Sequence, residues 1–216
     1  MRLVLFGAGG QVAQRIAREA LHRGHDVVGV ARSAASVRSD NERLTIVEGD
    51  ATDASSVAKL SKGADAIINA LSPRPSPSGR PATSLSAAAR ALIEGATRAR
   101  VPRLIVVGGA GSLEVAPGVR LVDTPGFPDA YKPESLNQAD ALAVYRTSAG
   151  KLDWTYISPA AEIGAGTRTG NYRTGGDTLL VDANGKSFIS YEDYAKAVLD
   201  ELERPTHSRA RMTVAY

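Results

Sequence analysis

A glycine-rich turn near the start of the chain is the feature that most constrains the fold. The apolar segment Arg2–Phe6 is typical of a β-strand and runs directly into Gly7-Ala8-Gly9-Gly10, after which an amphipathic pattern predicts a helix from Gln11. Glycine lets the backbone turn tightly and lets a ligand approach it closely. The first N–H groups of a helix have no partner within the helix, so they attract anions. The pattern therefore predicts a phosphate-binding turn at the start of a βαβ unit.

The small residues of this turn have the spacing Gly-x-x-Gly-x-x-Ala. In this spacing Gly7 permits the tight turn, Gly10 lies where the backbone would approach a phosphate, and Ala13 lets the helix pack closely on the strand. The commoner spacing Gly-x-Gly-x-x-Gly fails at its last position, which is Val12. An ordinary strand-to-helix loop without a ligand is the alternative interpretation. We expect the pyrophosphate of a dinucleotide to contact five residues of the turn: Gly7, Gly9, Gly10, Gln11 and Val12.

Length and composition favour one domain. The 216 residues include 43% hydrophobic residues, which predicts a single domain over residues 1–216. The sequence has no cysteine, so a disulfide framework and a thiolate site are both excluded and a reducing compartment is compatible. The net charge of +3 is too diffuse to indicate a nucleic-acid surface, and no apolar run approaches the ~20 residues that cross a bilayer. We expect a cytoplasmic protein whose partner is a small molecule, neither nucleic acid nor membrane; no pattern specifies the oligomeric state.

Beyond the turn, short apolar runs alternate with amphipathic patterns. Continuous apolar strands separated by helices predict an α/β fold, a doubly wound parallel sheet of the Rossmann type with a small substrate-side loop region. Further strands are predicted at 26–31, 44–48, 64–69, 103–108, 154–158 and 212–215. Helices are predicted at 11–23, 54–62, 85–99, 135–149 and 192–202.

Two connections are too long to be simple loops, and both leave the carboxyl ends of strands, where ligands bind in such sheets. The Pro/Ser-rich segment 72–81 is either a lid over the ligand or a solvated linker. The segment 109–133 suits a substrate loop, with Phe127, Tyr131 and Lys132 as residues that either contact substrate or serve the loop itself. The segment 164–188 is rich in Gly and Thr, and we interpret it as a small hairpin region near the substrate end.

The end of the second predicted strand bears on the choice of cofactor. An NAD site commonly has an acidic residue there, which binds the ribose hydroxyls, whereas an NADP site has an arginine for the 2′-phosphate. This chain reads Ala31-Arg32-Ser33 at that position. A guanidinium binds phosphate through a planar pair of hydrogen bonds, and a serine hydroxyl can add another. The sequence therefore favours NADP(H) over NAD(H); the alternative is that Arg32 is an ordinary surface arginine.

After the third predicted strand, two carboxylates stand close together in Gly49-Asp50-Ala51-Thr52-Asp53. Asp53 precedes a helix and is a typical N-cap. Asp50, with Ala51 beside it, lies where the amino group of an adenine would need an acceptor. His22, His25 and His207 form no closed ligand set with these carboxylates, so we predict no metal site.

With these motifs in place, the chain resembles the atypical short-chain dehydrogenase/reductase proteins grouped with biliverdin reductase B and the NAD(P)H-flavin reductases. The resemblance extends over essentially the whole chain and implies an NAD(P)H-dependent reductase. It also implies that the cofactor passes Ala70 and Leu71 at the end of the fourth strand, Gly108 and Gly109 after the fifth, and Pro159 after the sixth. The strings that carry it are Gly7-Ala8-Gly9-Gly10, Ala31-Arg32-Ser33, 49–53, 69–72, 106–114, 153–159 and 190–195.

One departure from the wider superfamily bears on mechanism. Tyr-x-x-x-Lys, in which the lysine helps the tyrosine to exchange a proton with substrate, is missing, because Tyr145 is followed at that spacing by Ala149 and Tyr194 by Val198. A flavin, quinone or tetrapyrrole accepts hydride into a delocalised system and has less need of a positioned acid. The sequence therefore favours an NADPH-dependent reductase of conjugated acceptors.

Ser112, after the fifth strand, is the candidate catalytic residue of such a reductase. Its hydroxyl would bind the acceptor or the carboxamide of the cofactor, or it would be a turn serine that bonds the backbone. A non-catalytic NADP(H)-sensing protein that keeps the fold without the Tyr-x-x-x-Lys pair is the alternative function. A sugar-nucleotide epimerase is a third possibility, but it would need the missing pair.

Overall fold

The structure, a computed structural model, describes residues 1–34, 41–73 and 83–216. Within these residues it has twelve strands and five α-helices. The strands are β1 (Arg2–Phe6), β2 (Asp26–Ala31), β3 (Leu44–Glu48), β4 (Ala66–Asn69), β5 (Arg103–Val107), β6 (Glu114–Ala116), β7 (Val119–Arg120), β8 (Asp153–Ser158), β9 (Glu162–Gly164), β10 (Arg173–Gly175), β11 (Phe188–Ser190) and β12 (Ala210–Ala215). The helices are α1 (Gln11–His22), α2 (Ala54–Leu60), α3 (Leu85–Ala99), α4 (Lys132–Ser148) and α5 (Tyr191–Glu203).

One eight-stranded sheet forms the centre of the fold, in the order β10-β12-β8-β5-β4-β1-β2-β3. Neighbouring strands are parallel except for β10, which pairs antiparallel with β12 at one edge. Leu3 of β1 is in register with Val27 of β2 on one side and with Ala66 of β4 on the other. The strand order reverses between β1 and β4, and ligands of open α/β sheets bind in the crevice at the carboxyl ends of the strands at such a point.

Helices cover both faces of this sheet because apolar side chains alternate along its strands. Leu3 and Leu5 lie in the core cluster that also contains Ile16 of α1 and residues of α5. Val4 and Phe6 lie in the opposite cluster, which contains residues of α2, α3 and α4. This arrangement confirms the predicted doubly wound fold. No helix in the described part of the chain has the length and apolar character that crossing a membrane would require.

The predicted boundaries of the main elements agree with the structure to within a few residues, and α3 agrees at both ends. The largest helix-boundary difference is the start of α4, which begins at Lys132 rather than at the predicted residue 135. Pro133 lies in the first turn of the helix, where the missing N–H group of a proline costs no hydrogen bond.

The prediction of a small hairpin over 164–188 was wrong. Here β10 joins the main sheet, β9 pairs in parallel with β11, and 179–181 is not a strand. Instead, Leu179 N donates to Glu114 O at 2.9 Å, which attaches this segment to β6. The predicted substrate loop after β5 contains the antiparallel pair of β6 and β7. Strands of two or three residues are too short to show a period in sequence.

Candidate functional site

The turn between β1 and α1 needs glycine at its first position. Gly7 has φ +83°, and a Cβ built on it would lie 2.6 Å from Ala70 O. Its N–H donates to Val30 O at 3.0 Å. The backbone at the ends of β1, β2 and β4 is therefore too closely packed here for a side chain. Gly7 is required by the fold itself.

Gly10 differs from Gly7, because the surrounding protein leaves room for a side chain. It is the N-cap of α1 at φ −76° and ψ 153°, which any residue adopts, and a Cβ there would meet its nearest atom, Gly7 O, at 3.4 Å. In the described part of the chain no side chain caps α1 or α4, whereas Asp53, Ser84 and Ser190 cap α2, α3 and α5. The first-turn N–H groups of α1 thus face an open backbone surface, which fits the phosphates of a dinucleotide.

The ends of β2 and β3 bring the predicted adenosine residues together. Arg32 and Ser33 are exposed, and hydrogen bonds from the hydroxyl and backbone N–H of Thr52, together with the Arg32 cation, lower the pKa of Asp50. Oδ1 of Asp50 accepts both bonds from Thr52, at 2.7 and 2.8 Å. The influence of Arg32 on the pKa of Asp50 indicates that a cation and an acceptor lie near each other at the ends of β2 and β3. Asp53 caps α2 through Ser55 N, as predicted.

A buried asparagine organises the end of β4. Oδ1 of Asn69 accepts from Leu71 N at 3.1 Å, and its Nδ2 donates to Tyr145 Oη at 3.2 Å. Ala70 is buried and supplies the carbonyl group that approaches Gly7. These contacts set the path of the backbone through Ala70 and Leu71 between β4 and the turn of α1.

The turn after β5 packs on an aromatic ring. A Cβ on Gly108 would lie 2.1 Å from Cε1 of Tyr156. Gly109 N donates to Tyr156 Oη at 3.2 Å, and this hydroxyl donates to Gln138 O at 3.0 Å. A Cβ on Gly111 would lie 2.5 Å from Cβ of Ser135 in α4. Tight packing against β8 and α4 therefore accounts for these glycines, apart from any contact with a cofactor.

Three tyrosines that are candidates to replace the missing proton relay lie in the core. Tyr145, Tyr156 and Tyr194 are all buried, and burial raises the pKa of each well above its ordinary value. The hydroxyl of Tyr194 donates to Ile157 O at 2.6 Å. A phenol that is buried, neutral and bonded within the core is poorly placed to exchange protons with a substrate.

Ser112 has a partner that the sequence did not indicate. Its Oγ accepts from Arg211 Nη1 at 2.9 Å, so the bond is with a side chain of β12 rather than with the backbone. Arg211 lies one residue before the predicted last strand, and its side chain is 3% exposed. A charged residue next to the apolar run 212–215 was the one signal that could have drawn attention to it.

The end of β8 holds a buried hydroxyl with an unmet hydrogen bond. Ser158 is fully buried, and its Oγ finds no partner among the residues that the structure describes. Pro159, the next residue, is also buried. An unsatisfied buried hydroxyl costs about 1–3 kcal/mol. A ligand at this strand end that supplied a hydrogen bond would recover part of that free energy.

The remaining predicted substrate residues are at the surface. Tyr131 is 62% exposed, and Lys132 forms an ion pair with Asp129 at 2.7 Å, which favours the solvated interpretation of Lys132. Phe127 is half-buried. Of the predicted lid over 72–81, residues 74–81 lie outside the described residues.

Two of the three histidines lie beside glutamates rather than beside one another. Nε2 of His25 is 2.8 Å from Glu203 Oε1, and Nδ1 of His207 is 3.1 Å from Glu201 Oε2. In the described ranges no three His, Cys, Asp or Glu side chains are arranged to hold a metal ion.

Comparison with known proteins identifies the family. A family model described as NAD(P)H-binding matches residues 7–205, which include the turn of α1 and the strand ends described above. The chain belongs to the NAD(P)H-binding family. It is 42% identical over 217 residues to YwnB of Bacillus subtilis (strain 168), a protein of uncharacterised function, and the match covers 99% of this chain and 98% of YwnB.

Solved structures of similar proteins agree in fold over the full chain. A candidate exported protein from Burkholderia pseudomallei is 44% identical with a TM-score of 0.88, and the match covers 100% of both chains. A candidate epimerase from Bacteroides thetaiotaomicron is 38% identical with a TM-score of 0.89, covering 100% of this chain and 96% of the other. A candidate NADH-flavin reductase from Streptococcus pneumoniae TIGR4 is 34% identical with a TM-score of 0.83, covering 100% and 99%. These matches confirm the predicted resemblance to flavin reductase-like short-chain dehydrogenase/reductase proteins.

Proposed function

We propose that this protein is an NADPH-dependent reductase that transfers hydride to a conjugated acceptor such as a flavin or a quinone. The observation that carries the proposal is the uncapped N-terminus of α1, where Gly10 leaves the backbone open although the fold does not require a glycine there. Membership of the NAD(P)H-binding family and the likeness to a candidate NADH-flavin reductase support it.

The cofactor would lie along the carboxyl ends of the strands. In the proposal the turn of α1 holds the pyrophosphate, the ends of β2 and β3 hold the adenosine, and the ends of β4, β5 and β8 flank the nicotinamide. The proposed residues are Gly7, Gly9, Gly10, Gln11 and Val12, then Arg32, Ser33, Asp50 and Ala51, then Ala70, Leu71, Gly108, Gly109 and Pro159. Bound NADPH would supply the hydride, and the protein would orient the acceptor and exclude water.

The class of acceptor follows from the missing proton relay. Reduction of a simple ketone leaves charge on one oxygen atom, which must be protonated by a positioned acid. Tyr145 and Tyr194 are buried and bonded within the core. A conjugated acceptor spreads the charge and takes its proton from water, so it needs less from the protein. We also propose that the acceptor is a small molecule and that the protein is cytoplasmic. The proposal includes no nucleic-acid or membrane partner.

The test is consumption of NADPH in the presence of FMN, a soluble quinone, a tetrapyrrole or a simple ketone, with NADPH binding measured separately by calorimetry. We expect oxidation of NADPH by one or more conjugated acceptors and little by the ketone. Binding of NADPH without turnover of any acceptor would favour the alternative, an NADP(H) sensor. Conversion of a sugar nucleotide would favour an epimerase.

Changing Arg32 to glutamate tests the preference for NADPH. We expect affinity for NADPH to fall at least 10-fold more than affinity for NADH, because the variant places an anion where the 2′-phosphate would bind and removes a charge-assisted hydrogen bond, a loss of about 1.5–3 kcal/mol. Dissociation constants of both nucleotides, measured by calorimetry, check this. Arg204→Glu makes the same charge change at the C-terminal end of α5, on a side chain 80% exposed, and is the matched control. Equal losses for the two nucleotides would remove Arg32 from this role.

Changing Tyr145 to phenylalanine tests whether the core tyrosine takes part in catalysis. We expect kcat with FMN to stay within about 2-fold, because the hydroxyl is buried against Asn69. Loss of that hydrogen bond would lower the free energy of unfolding by about 1 kcal/mol. Steady-state kinetics and thermal unfolding of the same preparation separate the two effects. A fall in kcat of roughly 100-fold or more, the size typical of a lost general acid, would contradict the proposed mechanism.

A further inference from the structure

A buried cation lies beside the turn that follows β5. The guanidinium of Arg211 is 3% exposed, and it donates to Ser112 Oγ at 2.9 Å and, through Nε, to Asp177 Oδ1 at 2.6 Å. A third bond reaches Asp177 O at 3.3 Å. Burying a charge is costly unless it is paired and hydrogen-bonded. Arg211 is therefore held in one geometry, and Ser112 is part of that geometry.

The charges of this cluster do not balance. Asp177 is the carboxylate that pairs with Arg211, but it also pairs with Arg146 of α4 at 2.5 Å. Two guanidinium groups thus share one carboxylate, which leaves an excess positive charge in the cluster next to the Ser112 hydroxyl. Arg211 is the buried member of this cluster, and a buried positive charge stabilises negative charge that develops nearby.

The same strand pair holds the turn at both of its ends. Arg211 of β12 is the register partner of Tyr156 of β8. The hydroxyl of Tyr156 accepts from Gly109 N at the start of the turn, and Arg211 donates to Ser112 at its end. The position of the Ser112 side chain is therefore set by β8 and β12 rather than by the turn alone.

We propose that Arg211 is a positioning residue that aims the Ser112 hydroxyl at the acceptor; this role rests on the proposed reductase function. A hydroxyl oxygen that accepts a bond from a guanidinium keeps its own proton and directs it elsewhere, and the adjacent charge makes it a stronger donor. In the reduction the hydride carries an electron pair from the nicotinamide to the acceptor, which becomes negatively charged. Ser112 donates a hydrogen bond to that charge and keeps its proton, and water supplies the proton that completes the reduction. Arg211 would thus have the electrostatic role that the lysine has in Tyr-x-x-x-Lys. It would act through the serine hydroxyl, as the lysine acts through the tyrosine hydroxyl.

A double-mutant cycle tests this coupling in the full-length protein, with FMN or the best acceptor found. We expect Ser112→Ala and Arg211→Lys each to lower kcat roughly 10- to 100-fold, with the dissociation constant of NADPH within about 2-fold of wild type. The double variant should be no slower than Ser112→Ala, because Arg211 acts only through that hydroxyl. Ser112→Thr, which keeps a hydroxyl, should recover much of kcat. Arg146→Met removes the excess charge of the cluster but leaves the bond from Arg211 to Ser112 in place, so we expect a smaller fall in kcat than Arg211→Lys gives.

The outcomes separate this role from the function on which it rests. Losses that multiply in the double variant, or an Arg211→Lys protein that is less stable but equally fast, would overturn the role of Arg211 in an active enzyme. Absence of turnover in the wild-type protein that binds NADPH would overturn the proposed function and this role together. If Arg211→Lys does not fold, Asp177→Asn loosens the same guanidinium at a side chain that is 54% exposed. Its effect on kcat should then disappear in the Ser112→Ala background, and persistence there would count against the proposal.

Discussion

Replacing Gly10 by valine is expected to abolish measurable binding of both NADPH and NADH, while the protein keeps its fold and most of its stability. The backbone at Gly10 is in the β region, and the nearest protein atom to a Cβ there would be at 3.4 Å, so the fold has room for a Cβ atom. A pyrophosphate on the first-turn N–H groups of α1 would not tolerate one, because the branched side chain occupies the space it needs. We expect at least a 100-fold loss of affinity, or about 2.7 kcal/mol.

Calorimetric titration with each nucleotide measures this loss, and circular dichroism with thermal unfolding reports on the fold. The matched control is Gly126→Val, since Gly126 is exposed, has open space around its Cβ position and lies in the loop that precedes α4. The control should bind both nucleotides normally. Unchanged affinity in Gly10→Val would mean that the phosphates bind elsewhere, and the proposed cofactor site would have to be abandoned.

A substitution three residues earlier in the same turn is expected to lower the stability of the fold itself, which Gly10→Val leaves largely unchanged. Gly7→Ala should destabilise the protein by at least about 3 kcal/mol, because φ +83° is strained for alanine and its Cβ would lie 2.6 Å from the carbonyl oxygen of Ala70. Both atoms belong to strand ends in the middle of the sheet, so neither can move aside cheaply.

Urea unfolding of Gly7→Ala and the wild-type protein measures this difference as a shift of the midpoint. Gly118→Ala is a suitable comparison, because Gly118 also has a positive φ, +74°, but nothing lies within 4 Å of its Cβ position. This variant should show the conformational strain alone, a loss of about 1 kcal/mol. Similar losses in the two variants would mean that the close approach of Ala70 contributes nothing.

The sequence predicted the main sheet well because its strands are buried on both faces and its helices are amphipathic. The helix α3 was placed correctly at both ends, and in the structure Ser84 caps it and Arg100 ends it in a left-handed conformation. The short strands β9, β10 and β11 could not be predicted, because their pairing partners are distant in sequence and three residues show no period. These strands form through tertiary contacts, as in the antiparallel pairing of β10 with β12.

At the candidate site, local chemistry was easier to predict than packing. The N-cap Asp53 and the glycine turn of α1 follow from neighbouring residues, and both are in place. The reason for Gly108 is a ring 48 residues further along the chain, that of Tyr156, which no local pattern reveals. The partner of Ser112 is 99 residues away. The functional roles of the predicted cofactor residues stay predictions until binding is measured.

The strand β10 has a further consequence for the behaviour of the protein at high concentration. It is three residues long and lies along β12, a strand of six residues whose backbone would otherwise be open to pairing by a second molecule. Arg173 at its start donates to Val181 O and Tyr216 O, which fastens this short outer strand and adds charge to the rim. Short, charged outer strands discourage edge-to-edge aggregation. Loss of the arginine side chain at this position should therefore make the protein more prone to precipitate at high concentration.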